Sequence, residues 1–188
     1  CVGGEMNITE TLLDRWLESE ETARRPAVIA ERENGTHTSL TYAELAAEVN
    51  RCTNALRELG LAPGDRIGIY MPMTTQTVIA FLAVIRLGGI VLPLFSGFGA
   101  GAIAGRLRDA HAAGLITADG FSRRGNTVTL KTVVDAATAQ VPTLRTVVVL
   151  RHTGEPVPMQ AGRDHWWHDV VPDQSPKATA QIVSAEEP

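Results

Sequence analysis

The stretch "RIGIYMPMTTQTVIAFLAVIRLGGIVLPLF", residues 66–95, decides the fold class of this 188-residue chain. Its first part, "RIGIYMP", is a short apolar run of the kind that forms a buried strand. The next part, "TQTVIAFLAVIRLGG", is apolar on most sides and predicts a buried helix, and "IVLPLF" predicts a second strand. A strand, a helix and another strand in this order form a βαβ unit, whose strands run parallel.

The same alternation continues toward the C-terminus. We expect helices over residues 99–112 and 131–140 and strands in "GLITADG" and "TVVVL". The sequence therefore predicts an α/β fold with a layered, mostly parallel sheet and helices on both faces. After Leu150 the chain becomes polar and rich in proline, apart from the island "GRDHWWHDVV". We assign residues 1–150 to one α/β domain and residues 151–188 to an extended connecting segment.

The N-terminal part predicts one helix, a small hairpin and a second helix. Residues 9–22 have the pattern of an amphipathic helix, with Leu12, Leu13, Trp16 and Leu17 on one face. In "PAVIAERENGTHTSLTY" two β-rich runs flank Asn34-Gly35, which suits a tight turn. Thr41 and Glu44 have capping-box spacing and would open the second helix, whose predicted apolar face is Leu45, Val49, Cys52, Leu56 and Leu59.

Composition excludes several classes of protein. The net charge of −4 argues against a nucleic-acid partner, because such proteins usually present a basic face. The two cysteines, Cys1 and Cys52, make no disulfide framework, so we expect a cytoplasmic location. No apolar stretch reaches the roughly 18 residues of a membrane span, and we expect no membrane partner.

The segment after "IVLPLF" offers a weak nucleotide motif. Gly97, Gly99 and Ala102 have G-x-G-x-x-A spacing, and Asp119 follows about 20 residues later, as in a dinucleotide fingerprint. That pattern normally follows the first strand of its unit, however, and here other strands precede it. An NAD(P)-binding Rossmann-like domain therefore stands as one alternative, and glycines that serve only a tight strand-to-helix turn stand as another.

Successive blocks of the sequence resemble an AMP-forming acyl-CoA synthetase, within the adenylate-forming superfamily. The stretches "LTYAEL" and "GDRIGIYMP" are shared across that superfamily, whereas "FSGFGAGAIAGR", "LITADG" and "GRDHWW" resemble its acetyl- and short-chain-CoA branch. The resemblance covers almost the whole chain, from "GGEMNITETLLDRWLE" to "GRDHWWHDVV". It implies the N-terminal subdomain of a larger enzyme, with residues 151–188 leading toward the family's phosphate-binding loop.

The resemblance also implies a reaction. A carboxylate such as acetate attacks the α-phosphate of ATP, pyrophosphate leaves, and the thiol of CoA then displaces AMP from the acyl-adenylate. The phosphate-binding loop, the magnesium site and the C-terminal lysine of the family have no match here. We therefore expect a fragment that is inactive alone and whose partners are the rest of the synthetase, the carboxylate, ATP with Mg²⁺, and CoA. A non-catalytic subdomain that docks on another chain is a further alternative.

By the family pattern, two segments of this chain contact the CoA nucleotide. An adjacent arginine pair on a loop beyond a parallel strand suits a phosphate, and a glycine lets the backbone approach an adenine. We expect the two segments to follow neighbouring strands and to converge at the carboxyl edge of the sheet. The alternative for the arginines is a solvated surface pair. The matching residues are Phe95, Ser96, Gly97, Arg123, Arg124, Gly125 and Asn126.

The island "GRDHWWHDVV" raises one further possibility. His165 and His168 lie three residues apart and on a helix could approach a metal, but no third ligand is evident. Trp166 and Trp167 are expected to pin this segment onto the core.

Overall fold

The computed structural model describes residues 3–32 and 35–186, and within them strands and helices alternate as the sequence predicts. The strands are β1 (Glu5–Met6), β2 (Pro26–Glu31), β3 (His37–Thr41), β4 (Arg66–Tyr70), β5 (Ile90–Pro93), β6 (Gly114–Ala118), β7 (Gly120–Arg123), β8 (Asn126–Thr129), β9 (Thr146–Leu150), β10 (Asp164–Trp166) and β11 (Val183–Ser184). The helices are α1 (Ile8–Leu12), α2 (Glu20–Ala23), α3 (Tyr42–Glu58), α4 (Thr75–Leu87), α5 (Ala100–Asp109), α6 (Lys131–Thr138) and α7 (Trp167–Val170).

The chain divides into two compact units, each assembled from separate segments. The sheet unit comprises Asp65–Met73 and Val91–Pro172. The helical unit comprises Cys1–Gly64, Thr74–Ile90 and Asp173–Pro188. Among the described residues, no helix has the length and apolar character needed to cross a bilayer.

The five-stranded sheet has the order β10-β9-β6-β4-β5. β4 pairs in parallel with β6, β6 with β9, and β9 with β10. Pro93 lies in β5 at one edge of the sheet, where its missing N–H interrupts no ladder. The predicted α/β class, with a parallel sheet flanked by helices, is confirmed.

Both faces of the central strands are buried. Successive strand residues point to opposite faces, and Leu115 and Ile116 in β6 are each only 1% exposed. Gly68 in β4 permits this packing, because a Cβ there would lie 2.6 Å from Leu115 Cδ1 and 2.9 Å from Leu107 Cδ2. Two-sided burial explains why these strands are continuous apolar runs rather than alternating ones.

β10 is a strand that the sequence does not predict, because its residues are Asp, His and Trp. It pairs with β9 through Asp164 opposite Val147, His165 opposite Val148 and Trp166 opposite Val149. The next residue, Trp167, is 7% exposed, so the expected anchoring of this segment by tryptophan is confirmed for Trp167.

In the helical unit, α3 and α4 pack against each other. The predicted capping box is confirmed, since the Thr41 hydroxyl accepts from the Glu44 N–H and the Glu44 carboxylate accepts from the Thr41 N–H. On the predicted apolar face of α3, Leu45, Val49, Cys52 and Leu56 are buried. Residues 175–181 run along this unit, where the side chains of Asn54 and Asn7 donate to their backbone carbonyls.

Two N-terminal predictions have different outcomes. The small hairpin is confirmed as the antiparallel pair β2–β3, although Asn34 of its expected turn lies outside the described residues. The single helix over residues 9–22 is wrong. The Ser19 side chain caps a new helix start at Glu20, and Leu13 leaves helical geometry with φ −123°. The segment therefore becomes α1, a 3₁₀ turn and α2, with Leu13 buried but Leu12 44% exposed.

Candidate nucleotide-binding edge of the sheet unit

The loop after β5 is fastened to the end of β4. The Tyr70 hydroxyl, at the last position of β4, donates to the carbonyl of Ser96 at 3.1 Å and to that of Phe98 at 2.9 Å. Tyr70 itself is only 1% exposed, so these bonds hold the loop against a rigid part of the core. The loop leads into α5, whose N-cap, Gly99, has no side chain to cap the helix.

Phe95 and Gly97 form a small aromatic surface in this loop. The Phe95 side chain is 67% exposed, and its ring meets that of Phe98 edge-on at 5.7 Å between centroids. A Cβ on Gly97 would lie 2.5 Å from Phe95 Cε1, so only glycine allows the ring to rest on the backbone here. An exposed aromatic ring beside bare backbone is suited to contact a flat heterocycle.

The second predicted segment is the tip of a β-hairpin rather than a loop. β7 and β8 pair antiparallel from Gly120 opposite Thr129 to Arg123 opposite Asn126. Arg124 and Gly125 form the two-residue turn, with φ values of 51° and 76°. Positive φ at both central positions is the type I′ geometry that matches the twist of the flanking strands. The predicted residues Arg123, Arg124, Gly125 and Asn126 are all exposed at this tip.

The two predicted segments do not follow neighbouring strands. Phe95 follows β5 and the hairpin follows β6, but β4 lies between these strands in the sheet. The expectation of neighbouring strands is therefore wrong, because strands consecutive in the chain are here separated in space by one that precedes both. With strands roughly 4.8 Å apart, the two strand ends are separated by about 10 Å. Convergence of the two segments on one ligand stays a prediction.

Asp119, the acid of the dinucleotide fingerprint, is fully buried between β6 and the hairpin. Its Oδ1 accepts from the N–H groups of Gly120, His152 and Thr153 at 2.7, 2.9 and 3.0 Å. Its Oδ2 accepts from those of Thr153 and Gly154 at 3.1 and 2.8 Å. Burial raises the pKa of this carboxyl, but the backbone N–H bonds outweigh burial and hold the pKa below its usual value.

These contacts argue against the NAD alternative. The acid of a dinucleotide fingerprint must reach the ribose hydroxyls, whereas the Asp119 carboxylate is saturated by backbone donors. The glycine segment also follows an edge strand, β5, rather than the first strand of the sheet.

A buried ionic cluster joins the start of α6, which follows the hairpin, to the start of β10. Lys131 Nζ lies 2.8 Å from Asp164 Oδ2 and 2.7 Å from Asp135 Oδ1, and it also donates to the Pro158 carbonyl at 2.8 Å. Arg163 bridges both carboxylates. Burial raises the pKa of Asp164, but its bonds with Arg163 and Lys131 lower it further than burial raises it. The i, i+4 spacing of Lys131 and Asp135 was the one signal of this cluster in the sequence.

The histidine pair does not add a metal ligand set. His165 lies in β10 and His168 in α7, and His168 Nε2 lies 3.4 Å from Asp169 Oδ1. Within residues 3–32 and 35–186, no group of three or more His, Cys, Asp or Glu side chains could hold a metal ion.

Open α/β sheets bind their ligands beyond the carboxyl ends of the parallel strands, where the β5 loop and the hairpin lie. Comparison with known sequences makes the class specific. Residues 15–184 match the family model described as AMP-binding enzyme, and the chain belongs to that family.

Its relatives include acetyl-coenzyme A synthetases. The chain is 42% identical over 185 residues to that of Streptomyces avermitilis, covering 98% of this chain and 28% of the relative. It is 47% identical over 150 residues to that of Rhodopirellula baltica, covering 80% of this chain and 22% of the relative. The fold resembles the solved acetoacetyl-CoA synthetase from Streptomyces lividans with a TM-score of 0.81 at 27% identity, over 92% of this chain and 26% of that one. The chain thus spans between 22% and 28% of the length of these relatives.

Proposed function

We propose that this chain is the N-terminal part of an AMP-forming acyl-CoA synthetase that activates acetate or another short-chain carboxylate. The observation that carries the proposal is the 42% identity to an acetyl-coenzyme A synthetase over 98% of the chain. The proposed parent joins the carboxylate oxygen to the α-phosphate of ATP with loss of pyrophosphate. The CoA thiolate then attacks the acyl carbon, and AMP leaves.

Within that reaction, the proposed role of this chain is to hold part of the CoA nucleotide. The proposed contacts are the seven residues of the β5 loop and the hairpin tip, namely Phe95, Ser96, Gly97, Arg123, Arg124, Gly125 and Asn126. Arg123 and Arg124 are exposed, and their guanidinium groups suit the phosphates of CoA, whereas the Phe95 ring beside Gly97 suits its adenine. Groups for ATP, Mg²⁺ and the acyl chain would come from the remainder of the enzyme.

The same proposal covers the subdomain boundaries of the complete enzyme and its location in the cell. Residues 1–150 would belong to the N-terminal subdomain and residues 151–188 would lead toward the phosphate-binding loop. A cytoplasmic enzyme is consistent with Cys52, a buried free thiol.

The test compares the 188-residue chain with the complete synthetase that carries it. Acetate-dependent exchange of pyrophosphate into ATP measures adenylation alone, and thioester formation measures the complete reaction. The complete protein should perform both, and the 188-residue chain neither. If the 188-residue chain alone exchanges pyrophosphate into ATP, the proposal that the phosphate-binding groups lie in the remainder of the enzyme is wrong. NADH binding without CoA binding would revive the dinucleotide alternative.

A further inference from the structure

Asp119 ties together three segments of the sheet unit. Its carboxylate accepts from the N–H of Gly120, where the hairpin begins, and from N–H groups of His152, Thr153 and Gly154, after β9. Its backbone carbonyl accepts from the N–H of Leu130 at 3.0 Å and of Lys131 at 3.3 Å, where the chain leaves the hairpin. Its own N–H donates to the Leu150 carbonyl at 2.9 Å. Both ends of the hairpin are therefore joined at one residue.

This site requires a carboxylate rather than an amide. Four separate N–H groups point at its two oxygens, and both oxygens must accept. An asparagine would keep one accepting oxygen and would turn its NH₂ toward N–H donors, which leaves some of these donors, including the buried N–H of Gly120 or its part-buried neighbours, without this acceptor.

The position of the hairpin depends on the contacts of Asp119 at its base, where β7 begins and β8 ends. Phe121 and Val128 are only half-buried, and the other hairpin residues from Ser122 to Thr129 are exposed. Few apolar contacts therefore fix its direction. At the first pair, a Cβ on Gly120 would lie 2.6 Å from the Val128 carbonyl oxygen, so the two strands already approach as closely as their backbones allow.

The length of the hairpin amplifies any change at the base. Four strand residues span about 13 Å, so a rotation of about 10° at Asp119 displaces the tip by about 2 Å. A misplacement of about 1 Å in a positioning group can cost about 100-fold in rate. We infer that Asp119 is a positioning residue of the CoA site, which fixes the direction of the hairpin and thereby the place of Arg123 and Arg124. This inference rests on the proposed function of those arginines.

The experiment uses the complete synthetase with Asp119→Asn. The KM for CoA should rise about 10- to 100-fold, while acetate-dependent pyrophosphate exchange per folded molecule stays within about twofold. Hydrogen exchange should become faster at residues 121–128 by a larger factor than at residues 146–150, where it reports only the loss of stability of the whole unit. Val148→Ala, a core truncation in β9, is the matched control for lost stability, because Val148 is 2% exposed and contacts no hairpin residue in the β-ladder. It should lower the melting temperature without raising the KM for CoA.

A double-mutant comparison separates this inference from the proposed function. Adding Asp119→Asn to a variant that already lacks both arginines should raise the KM by a much smaller factor than it does in the wild type, since the carboxylate acts mainly through them. If removal of the arginines alone leaves the KM unchanged, the proposed CoA site is wrong. If their removal raises the KM but Asp119→Asn does not, the positioning role is wrong. Should Asp119→Asn not fold, Gly120→Ala tests the same base with the carboxylate intact, and an unchanged KM for that variant overturns the inference.

Discussion

Lys131 Nζ and Asp164 Oδ2 lie 2.8 Å apart, and both side chains are fully buried. This pair joins the start of α6, directly after the hairpin, to β10 at the edge of the sheet. A buried charge is tolerated only where partners replace its lost hydration. Here Lys131 has two carboxylates and a carbonyl, and Asp164 also accepts from Arg163 Nε at 2.6 Å.

Lys131→Met should therefore destabilise the sheet unit by about 3 kcal/mol, because removing one partner leaves the carboxylates without the buried cation. Urea unfolding followed through hydrogen exchange at residues 146–150 measures the loss. Lys177→Met is the matched control, since Lys177 is exposed and the substitution is the same. It should change the free energy of unfolding by no more than about 0.5 kcal/mol. A loss below about 1 kcal/mol for Lys131→Met would show that the cluster contributes little.

Acid should weaken the same unit through Asp119 and Asp164. Hydrogen bonds and charges hold the pKa of both carboxyls below their usual range, so the folded state binds protons more weakly than the unfolded chain. Their stabilisation is complete above the ordinary carboxyl pKa of about 4, and it is lost as the pH falls through the lowered pKa values. The free energy of unfolding should thus decline steeply below about pH 4. Asp164→Asn should be less stable at pH 7 and flatter in acid, whereas Asp109→Asn, on the exposed face of α5, should follow the wild-type curve.

The sequence predicts which segments form strands better than it predicts which strands lie next to each other in the sheet. Apolar runs identify β4, β6 and β9 because both sides of these strands are buried. β10 has no such signal, since Asp164 is buried by pairing with Lys131, 33 positions earlier in the chain, and no local pattern encodes that contact. For the same reason the position of β4 between β5 and β6 is not predictable from the order of elements.

The candidate site likewise has one feature with a local signal in the sequence and one without. The Arg124-Gly125 turn has a local signal, a glycine in a two-residue connection between short β-rich runs, and this signal favours a hairpin over the predicted loop. The role of Asp119 had no readable signal, because its partners are backbone N–H groups of residues 152–154. Side-chain identity cannot reveal such donors.

The backbone at His111 favours glycine, so we expect a substitution there to stabilise the protein. It follows the C-cap of α5 with φ 50°, and its N–H donates to the Arg108 carbonyl at 2.9 Å. Glycine is preferred at such left-handed positions after a helix, since a Cβ there is strained. His111→Gly should raise the free energy of unfolding by about 0.5–1 kcal/mol, after the greater entropy of glycine in the unfolded chain is included. His111→Val should lower it, because a β-branched residue is disfavoured there. Denaturant unfolding of both variants checks the order, and equal stability would refute it.

Gly97→Ala should affect CoA more than folding. The added Cβ meets the ring of Phe95, which is 67% exposed and free to turn outward, so the structural cost is small. A displaced ring and a blocked backbone should raise the KM for CoA in the complete synthetase and leave pyrophosphate exchange unchanged. Gly101→Ala, in the first turn of α5 with open space around it, is the control and should leave both unchanged. If Gly97→Ala matches this control, the glycine serves only the turn.

Removal of the two hairpin arginines is the most direct test of the CoA site. Arg123→Ala with Arg124→Ala removes two exposed cations from the tip of the hairpin. Losing a charge-assisted contact to phosphate costs about 1.5–3 kcal/mol, which corresponds to a rise of about 10- to 150-fold in the KM for CoA. Pyrophosphate exchange should persist, because no CoA takes part in adenylation. If the arginines hold the 3′-phosphate, the double substitution should raise the KM for dephospho-CoA by a smaller factor than the KM for CoA.

Arg24→Ala with Arg25→Ala is the matched control, an adjacent exposed pair in the helical unit with the same loss of charge. Should both double variants raise the KM equally, the effect would be one of net charge and the hairpin would not be the site.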